Sequence, residues 1–586
     1  SEGATVENQY KAIRTASGWQ STNLTPRLLT GSGGQGYKAF DTNLTRGVLS
    51  QFGPALNEEA PADYENLYTL PASTPLALTS LLAETPPGRP ASGAGRFELH
   101  YAGASDDLSR VFFAANDALT EETAFAPAAA DGGAAKFNLY EWLPAGGQLS
   151  LVNVKPGNAA TEPGPAFAFG AGSAHAISAD GKRVFWSQGT SVYVREDGEV
   201  THEIPNPGSA DFLAASTDGS RVLLDDGSLY DLEAEEAIDL TGGQGGFQGI
   251  VGQGDDLTHV YFVDTAVLTG EEENGEGDKA QAGQPNLYAW SEGAIAFVGT
   301  LVVQDNAGAI PAMSRTWSPL PVLRTAQGSP NGRFLAFLSQ ASLTGYDNTG
   351  PTCKFIIAGV FDPGPCAEAF LYDSATGELA CASCNPSGAQ PLGVTVLRRI
   401  SQAPHSLTPP PYLTDSGRLY FDSRDSLSPS DTNEGVEDVY QFEPEGIGTC
   451  EREGGCISLI SAGTEPVDSN LVTIDETGKN VFFTTRDQLV LKDKDELIDL
   501  YDAREGGGIP AETETQGDGC QGEACQPQPV VPDDPPPAFE GSGNVKATVL
   551  GRRPCAKGKV RRRGRCVPRK TRHHKRAAHR NGRKSR

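Results

Sequence analysis

Two short loops of this 586-residue chain hold side chains that are suited to binding a metal ion. Each loop precedes an apolar run and carries carboxylates or amides at nearly alternating positions, which are Asp431, Asn433, Asp438, Asp493 and Asp495. Calcium prefers hard oxygen ligands of this kind, although the spacing is not that of an EF-hand. Aspartate and asparagine also begin turns by bonding nearby backbone, and this is the preferred interpretation. Calcium is kept as a hypothesis, and no other cofactor is predicted.

The ten cysteines are the second group of reactive side chains, and they fall in five local pairs. The pairs are Cys353 with Cys366, Cys381 with Cys384, Cys450 with Cys456, Cys520 with Cys525, and Cys555 with Cys566. Even number and local pairing favour disulfides and an oxidising compartment. A thioredoxin-like redox pair requires a helix N-terminus, whereas Cys381 and Cys384 follow a predicted strand. A zinc ribbon requires two close Cys-x-x-Cys knuckles, which the chain lacks. Disulfides are therefore predicted for these ten cysteines, and the sequence leaves their connectivity open.

Charge divides the chain into an acidic part and a basic tail. Residues 551–586 hold 17 lysines and arginines and no acids, which leaves 30 basic and 75 acidic side chains elsewhere, a net charge of −45. The predicted polyanion-binding residues are Lys557, Lys559, Arg561, Arg562, Arg563 and Arg565. A disordered, solubilising tail is the preferred interpretation, and the alternative is binding to anionic cell-wall polymer, because simple charge neutralisation needs no special geometry. Nucleic acid is disfavoured because the tail has no aromatic residue to stack on bases.

Motifs that identify common enzymes are missing from the sequence. There is no Gly-x-Ser-x-Gly nucleophile elbow and no His-Glu-x-x-His zinc helix. The histidines outside the tail are scattered, and a structural role is expected for each: His100, His175, His202, His259 and His405. His259 takes a position where other repeats place an arginine that we expect to face solvent. No catalytic residue is predicted, although a site assembled from several repeats would be invisible in the linear sequence.

Eight copies of one sequence motif form the structural elements that must position these side chains. A polar turn, usually with glycine, leads into an apolar run, as at Asp218, Gly219 and Val222, and a Leu-Tyr run such as Leu229 and Tyr230 follows. The aligned positions are Val48, Val111, Val184, Val222, Val260, Leu335, Leu419 and Val481. Their shortest spacing, 38 residues, suits four short strands. Because one such unit cannot bury both faces, the units must stack radially. The sequence predicts an all-β fold, a β-propeller of seven to eight four-stranded blades.

The turn-strand phrase at Ser329, Pro330, Asn331, Gly332 and Arg333 resembles the WD40-like (PD40) repeat of TolB-type β-propellers, over roughly residues 40–510. Residues 178–183 match the same pattern. The Cys-x-x-Cys-Asn-Pro-x-Gly element at 381–388 and the basic two-cysteine tail resemble secreted actinobacterial propeller proteins of unknown function. The resemblance implies a propeller and export, and it implies no activity for any residue.

Four segments are expected along the chain. Residues 1–39 form an N-terminal segment that could clasp the last blade, and residues 40–510 form the propeller. Residues 511–545 are predicted to be a disordered acidic, Pro-rich linker, and residues 546–586 a partly disordered basic tail. The sequence has no apolar run long enough to span a membrane. Because the chain starts at Ser1 and holds a single methionine, a removed signal peptide or upstream segment is inferred.

These features predict a secreted or cell-wall-associated monomer. Its expected function is that of a binding or scaffolding module for an extracellular protein, peptide or glycan at the propeller face. One alternative is a propeller enzyme that acts on extracellular glycan or peptide. The other is a structural wall-associated protein held by its basic tail.

Overall fold

The computed structural model describes residues 9–25, 35–71, 79–93, 95–121, 136–157, 159–160, 163–164, 166–167, 175–205, 210–306, 316–317, 323–357, 360–397, 409–509, 559–562 and 565–568. The chain forms two compact units, Ser1–Ala538 and Phe539–Arg586. The predicted linker, 511–545, lies outside the described residues, as does most of the predicted tail.

The first unit begins with a hairpin and continues with antiparallel sheets, named sheets 1 to 8 in chain order. The hairpin is formed by β1 (Tyr10–Thr15) and β2 (Gly18–Asn23). Sheet 1 contains β3 (Gln35–Phe40), β4 (Arg46–Gln51), β5 (Asn66–Pro71) and β6 (Thr79–Ser80). Sheet 2 contains β7 (Leu99–Ala104), β8 (Val111–Ala115), β9 (Asn138–Leu143) and β10 (Gln148–Leu151). A small ribbon of β11 (Val154–Lys155) and β12 (Ala159–Ala160) follows.

The next four sheets have the same four-stranded order. Sheet 3 contains β13 (Ala166–Phe167), β14 (Arg183–Gln188), β15 (Ser191–Glu196) and β16 (Val200–Glu203). Sheet 4 contains β17 (Phe212–Ala215), β18 (Arg221–Leu224), β19 (Ser228–Asp231) and β20 (Glu236–Asp239). Sheet 5 contains β21 (Phe247–Gln253), β22 (His259–Asp264), β23 (Asn286–Ser291) and β24 (Ala294–Thr300), and a 3-10 turn, Val303–Asn306, follows. Sheet 6 contains β25 (Gln327–Gly328), β26 (Phe334–Ser339), β29 (Glu368–Asp373) and β30 (Glu378–Cys381), and it carries an inserted hairpin of β27 (Thr349–Ile357) and β28 (Val360–Pro365).

The last two sheets have three strands each within the described residues. Sheet 7 contains β31 (Leu419–Ser423), β32 (Asp438–Glu443) and β33 (Cys456–Leu459). Sheet 8 contains β34 (Asn470–Ile474), β35 (Asn480–Thr485) and β36 (Asp499–Arg504). In the second unit, β37 (Lys559–Arg562) pairs with β38 (Arg565–Pro568). These two strands lie in the predicted basic tail, residues 546–586.

Successive sheets bury one another's faces because side chains alternate along each strand. On β8, Val111 and Phe113 pack in one apolar cluster with Val48 of sheet 1. Phe112, between them, points the other way and packs with Trp186 of sheet 3. The same alternation joins sheet 5 to sheets 4 and 6, and sheet 6 to sheet 7. Serial antiparallel meanders that stack face to face confirm the predicted all-β, β-propeller fold class.

The tyrosine of the Leu-Tyr run anchors a neighbouring loop by hydrogen bonds, which explains why tyrosine recurs in the repeat. The Tyr140 hydroxyl donates to the Asp117 carbonyl oxygen at 2.7 Å and accepts from the Leu119 N–H at 3.0 Å. Tyr288 makes the equivalent pair of bonds with Ala266 and Leu268, at 2.8 and 3.1 Å. Because each hydroxyl is buried, these bonds also satisfy its need for partners.

The N-terminal hairpin contacts both ends of the sheet series. Trp19 meets Phe482 of sheet 8 edge to face with ring centroids 6.2 Å apart. On the other side, the Tyr37 hydroxyl of sheet 1 donates to the Leu24 carbonyl oxygen at 3.1 Å. Within the described residues β2 pairs with β1 and not with β36. In the described residues the hairpin therefore adds no strand to sheet 8, and the clasp of the last blade by residues 1–39 stays a prediction.

Three of the predicted disulfides are formed: Cys353–Cys366, Cys381–Cys384 and Cys450–Cys456. The first closes the inserted hairpin of sheet 6. Cys520, Cys525 and Cys555 lie outside the described residues, and nothing is described of the Cys566 side chain. Among the described residues, no helix has the length and apolar character needed to cross a membrane.

Candidate binding surface

The turns of four repeats share one recurring hydrogen-bond pattern. In sheet 4, the Ser216 hydroxyl donates to Asp218 Oδ1 at 2.6 Å and accepts from the Arg221 N–H at 3.0 Å. Gly219 between them has φ 70°, and a Cβ there would lie 2.8 Å from Cβ of Arg183 on the neighbouring sheet. Glycine is therefore required both by its backbone conformation and by the close approach of two sheets. Turns that begin at Ser105, Ser178 and Ser329 share the serine bonds.

Hydrogen bonds also join each turn to the turn of the next sheet. The backbone links run from Thr42 to Asp106 at 3.1 Å, Asp106 to Ala179 at 2.8 Å, Ala179 to Thr217 at 2.8 Å, Thr217 to Asp255 at 2.7 Å, and Asp255 to Pro330 at 2.8 Å. The next link uses a side chain, since Asn331 N–H donates to Asp415 Oδ1 at 2.7 Å. We call the surface formed by these turns, from Thr42 to Asp415, the turn face.

In five turns the arginine that ends the turn pairs with a carboxylate. Arg333 is exposed, as expected, whereas Arg110, Arg183 and Arg221 are half-buried and Arg418 is buried, which corrects the expectation that these four face solvent. The pairs are Arg110 with Glu141 at 2.9 Å, Arg183 with Glu196 at 2.9 Å, Arg221 with Asp231 at 3.1 Å, Arg333 with Asp373 at 2.7 Å, and Arg418 with Glu443 at 3.0 Å. Each carboxylate lies on the strand that pairs with the strand beginning at or directly after the arginine, and for Arg183 and Arg221 the register places it directly opposite. The side chain of Arg418 is only 10% exposed. These ion pairs fix the turns to their sheets.

The turn face brings together one histidine and three aspartates from different sheets. His175 precedes the turn of sheet 3 and lies within electrostatic range of Asp106 from sheet 2 and Asp255 from sheet 5. Asp255 in turn lies within range of Asp415 from sheet 7. The three aspartates are exposed and His175 is half-buried. Residues of non-adjacent sheets can meet in this way only if the row of turns curves inward, as it does around a propeller axis.

The protonation of this cluster is shifted by its surroundings. Burial lowers the pKa of His175, and the charges of Asp255 and Asp106 oppose that shift. Burial raises the pKa of Asp255, with His175 opposing and Asp415 and Asp256 adding to the shift. No signal in the sequence pointed to this cluster, since His175 and Asp255 lie on different repeats. A group of carboxylates with one imidazole can bind a cation or exchange protons.

The first loop predicted to bind calcium is held by protein hydrogen bonds. Asp431 accepts a bond from the Tyr440 hydroxyl at 2.5 Å, and Asp438 accepts one from Ser461 at 2.6 Å. Asn433 donates its side-chain amide to Asp438 at 2.9 Å. These contacts are those expected of the turn-forming role.

The second loop brings more carboxylates together. Single oxygens of Asp493, Asp495 and Asp499 lie within 4.8 Å of one another. Asp493 also accepts a hydrogen bond from the Tyr501 hydroxyl. Burial, together with the charges of Asp493 and Asp495, raises the pKa of Asp499. Three hard oxygen ligands at this spacing fit calcium better than the first loop does, and calcium binding stays a hypothesis.

The remaining predicted residues lie at separate places. His259 contacts Ser291 at 3.1 Å, His202 lies 3.4 Å from Glu196, and His100 stacks on Phe137. His405 lies outside the described residues. In the second unit, Lys559, Arg561 and Arg562 are on β37 and Arg565 is on β38, whereas Lys557 and Arg563 lie outside the described residues. Binding of polyanions by this hairpin stays a prediction.

Three buried acids were missed by the sequence analysis. Asp305 and Glu368 are at most 1% exposed, and Asp425 is 2% exposed. Burial raises the pKa of Asp305 and of Asp425 to about 6, and it raises that of Glu368 well above its usual range. The only signal available for Glu368 was its place directly before an apolar-aromatic pair, where other repeats have asparagine or aspartate.

No protein-family model matches this chain, and no curated protein does. Solved structures to which it is similar include a prolyl endopeptidase, with 11% identity, a TM-score of 0.29, and coverage of 78% of this chain and 55% of that chain. Another is the β-propeller domain of Myceliophteria thermophila Cps50 (Swd1), with 11% identity, a TM-score of 0.25, and coverage of 57% and 84%. A third is a putative TolB from Agrobacterium tumefaciens, with 14% identity, a TM-score of 0.23, and coverage of 48% and 80%.

The chain spans little more than half the length of the prolyl endopeptidase. At these scores the likenesses carry no functional argument. The class of protein is therefore defined by the chain's own sheets and turns: a β-propeller with a hydrogen-bonded, acidic turn face.

Proposed function

We propose that this β-propeller is a binding module for an extracellular protein or peptide that presents a cationic side chain to the turn face. The observation that carries the proposal is the electrostatic coupling on that face of His175 to Asp106 and Asp255, and of Asp255 to Asp415. The three carboxylates are exposed, so a lysine or arginine of a partner can reach them. Export is supported by the three disulfides, because such bonds persist in oxidising compartments.

The proposed binding is tested with a triple variant, D106N/D255N/D415N. The Asp415→Asn change keeps an oxygen that can accept the Asn331 bond, so the turn face should stay folded. The matched control is E58Q/E59Q/E272Q, which removes the same charge from exposed positions in loops at the opposite ends of their sheets. The probe is a set of extended peptides of one length that differ in lysine and arginine content. We expect the turn-face variant to bind the basic peptides about tenfold more weakly than the control. Equal loss in both variants would show only general charge attraction.

A second candidate function is hydrolysis of an extracellular glycan. Glycosidases need one protonated and one ionised carboxyl group on either side of the scissile bond. Asp255, whose pKa is raised partly by the charge of Asp415, is a candidate acid. The test incubates the protein with peptidoglycan and chitin oligosaccharides and measures new reducing ends. Activity that D255N abolishes would favour the enzyme, and absence of activity would favour the binding module.

The basic tail supports a third candidate, a structural protein of the cell wall. The tail concentrates 17 basic side chains without an acid, and β37 and β38 hold four of the predicted polyanion-binding residues. Attraction of this type weakens steeply as salt rises. We expect isolated cell walls to retain the full chain at low salt and to release it at high salt. Deletion of residues 551–586 should abolish retention, and retention without the tail would contradict this candidate.

A further inference from the structure

The disulfide Cys381–Cys384 differs from the other two in its surroundings. It joins the end of β30 to the loop that leads to sheet 7, with three residues of sequence separation. Cys353, Cys366, Cys450 and Cys456 are all buried, whereas Cys381 and Cys384 are half-buried. Among the disulfides of the described residues, this one is therefore the most accessible to a reagent.

A buried glutamate lies beside this disulfide. Glu368, the first residue of β29, is 1% exposed. One of its carboxyl oxygens lies within 4.8 Å of the sulfur atoms of both Cys381 and Cys384. The Ser383 hydroxyl donates to Glu368 Oε2 at 2.5 Å, and Oε1 has no hydrogen-bond partner among the residues that the structure describes. A buried polar oxygen without a partner is costly, and it often marks a functional site.

Sheet 7 shows that the structural role of this position does not require glutamate. Asp438 occupies the equivalent position, and Ser461 donates to it at 2.6 Å. The Val439 N–H bonds Ser461, as the Ala369 N–H bonds Ser383. Aspartate is thus long enough to hold the serine that follows the fourth strand. In sheet 6 the longer glutamate holds its serine in the same way and also brings a carboxyl oxygen within 4.8 Å of both sulfur atoms.

Burial raises the pKa of Glu368 well above its usual range, and the charge of the nearby Asp425 raises it further. The Ser383 hydrogen bond opposes these effects. Tyr346 is the other titratable group close to Glu368, and its own pKa is raised. The carboxyl therefore keeps its proton at pH values where an exposed glutamate is ionised, so it can act as a proton donor within 4.8 Å of the disulfide.

We propose that Cys381–Cys384 is an exchange-competent disulfide that takes a dithiol as its substrate, with Glu368 as the proton donor to the sulfur that leaves. A thiolate of the dithiol attacks one cysteine sulfur, the S–S bond breaks, and the second cysteine leaves with the electron pair and takes the Glu368 proton. The second thiol of the dithiol then attacks the mixed disulfide and frees the first cysteine. The dithiol is oxidised to a disulfide, two cysteine thiols are formed, and the two protons lost by the dithiol balance those gained. Glu368 recovers its proton from solvent.

This exchange is independent of the ligand proposed for the turn face. It adds a reaction with thiols to a binding module. Its substrate is defined by chemistry alone, as a molecule with two thiols that can join in a cyclic disulfide. Loss of peptide binding by the turn-face variant would leave it unaffected, and the reverse also holds.

The full chain is tested with dithiothreitol, followed by differential alkylation and peptide mass spectrometry to measure each disulfide separately. We expect Cys381–Cys384 to be reduced at least about tenfold faster than Cys450–Cys456. Glu368→Gln keeps the size and the Ser383 bond but removes the proton, and it should slow reduction of Cys381–Cys384 about tenfold or more. Glu368→Asp keeps the bond, as sheet 7 shows, but shortens the reach and should also slow the reaction.

Asp438→Asn is the matched control, because it changes the same position in a sheet without a disulfide at that place. It should leave the rate at Cys381–Cys384 unchanged. The effect of Glu368→Gln should also depend on pH, growing where the wild-type carboxyl is protonated and vanishing where it is ionised. Thermal melts check that each variant is folded. A wild-type rate in folded Glu368→Gln, or equal reduction of all three disulfides, would overturn the proposal.

Discussion

The backbone N–H of Asn331 donates a 2.7 Å hydrogen bond to Oδ1 of Asp415, and this bond links the turn of sheet 6 to that of sheet 7. The five preceding links of the turn face run from backbone to backbone. Pro330 stands at the donor position of sheet 6 and has no N–H, so the bond moves to the next residue and to a side-chain acceptor. The Asn331 side chain adds a second bond to the Asp415 carbonyl at 3.2 Å.

Loss of the Asp415 carboxylate should therefore weaken the fold. We expect Asp415→Ala to lower the free energy of unfolding by about 1 kcal/mol, because Asn331 loses its acceptor. Asp415→Asn keeps an acceptor and should be close to wild type. Urea denaturation monitored by tryptophan fluorescence measures both. Glu272→Ala, at an exposed position away from the turn face, is the control. Equal stability of the two alanine variants would contradict the assignment.

The coupling on the turn face predicts shifts of opposite sign at Asp255. Asp415→Asn should lower the pKa of Asp255, because the charge of Asp415 raises it. His175→Asn should raise that pKa, because the charge of His175 lowers it. Asparagine is chosen since residue 175 has φ 54°, a conformation that asparagine tolerates. Carboxyl NMR titration measures the pKa directly. No shift, or shifts of the same sign, would show that these groups are not neighbours.

The raised pKa of Asp305 predicts that the folded protein loses stability as pH rises. Its pKa is about 6 in the folded protein and about 3.9 in an unfolded chain. The folded state thus holds the proton to higher pH, and the stabilisation is complete below about pH 4 and lost as pH rises through about 6. Its full size is on the order of 2–3 kcal/mol.

Asp305→Asn should make the fall of unfolding free energy between about pH 4 and pH 7 shallower. The variant should be less stable overall, because Ser339 and Gln340 both donate to the carboxyl. The slope and not the absolute value is the readout, taken from urea denaturation across pH. An unchanged slope would mean that Asp305 titrates normally.

The acidic loop of sheet 8 makes the calcium hypothesis testable. Calcium added to chelator-treated protein should raise the melting temperature as its concentration rises, since a ligand that binds only the folded state stabilises it. Asp495→Asn with Asp499→Asn should remove the effect. Asp431→Asn, in the loop held by Tyr440, should not. A melting temperature that ignores calcium, or an effect that survives the double variant, would reject this site.

Contacts of the N-terminal hairpin predict that it supports the fold. Removal of residues 1–30 should lower the melting temperature sharply, because sheets 1 and 8 lose the contacts of Leu24 and Trp19. Trp19→Ala should reproduce part of the loss, by about 1–2 kcal/mol, since Trp19 is 39% exposed. Removal of residues 551–586 is the control of similar length. An unchanged melt after the N-terminal deletion would reject the clasp.

Local chemistry made much of the fold predictable. Asp218 and Gly219 indicate a turn, because aspartate bonds to nearby backbone and glycine adopts the left-handed backbone conformation that such a turn contains. Val222 and Leu223, which follow, indicate a buried strand. The close carboxylates Asp493 and Asp495 were also found, because the residues that bring them together are neighbours in the chain. Where partners are distant in sequence, no such signal existed. The ion pairs of the turn arginines are an example. Nothing in the sequence indicated them, because each carboxylate lies on a different strand from its arginine.

The sequence by itself determined the repeat, its strands and the cysteine pairs, because each depends on residues a few positions apart and on the period of a strand. Only the tertiary structure decided that His175 lies within electrostatic range of Asp106 and Asp255. It also decided that a carboxyl oxygen of Glu368 lies within 4.8 Å of the sulfur atoms of Cys381 and Cys384. Those contacts depend on how sheets curve and stack and on which side chains are buried together. Burial and the field of neighbouring charges set their chemistry, and neither is encoded at any single position.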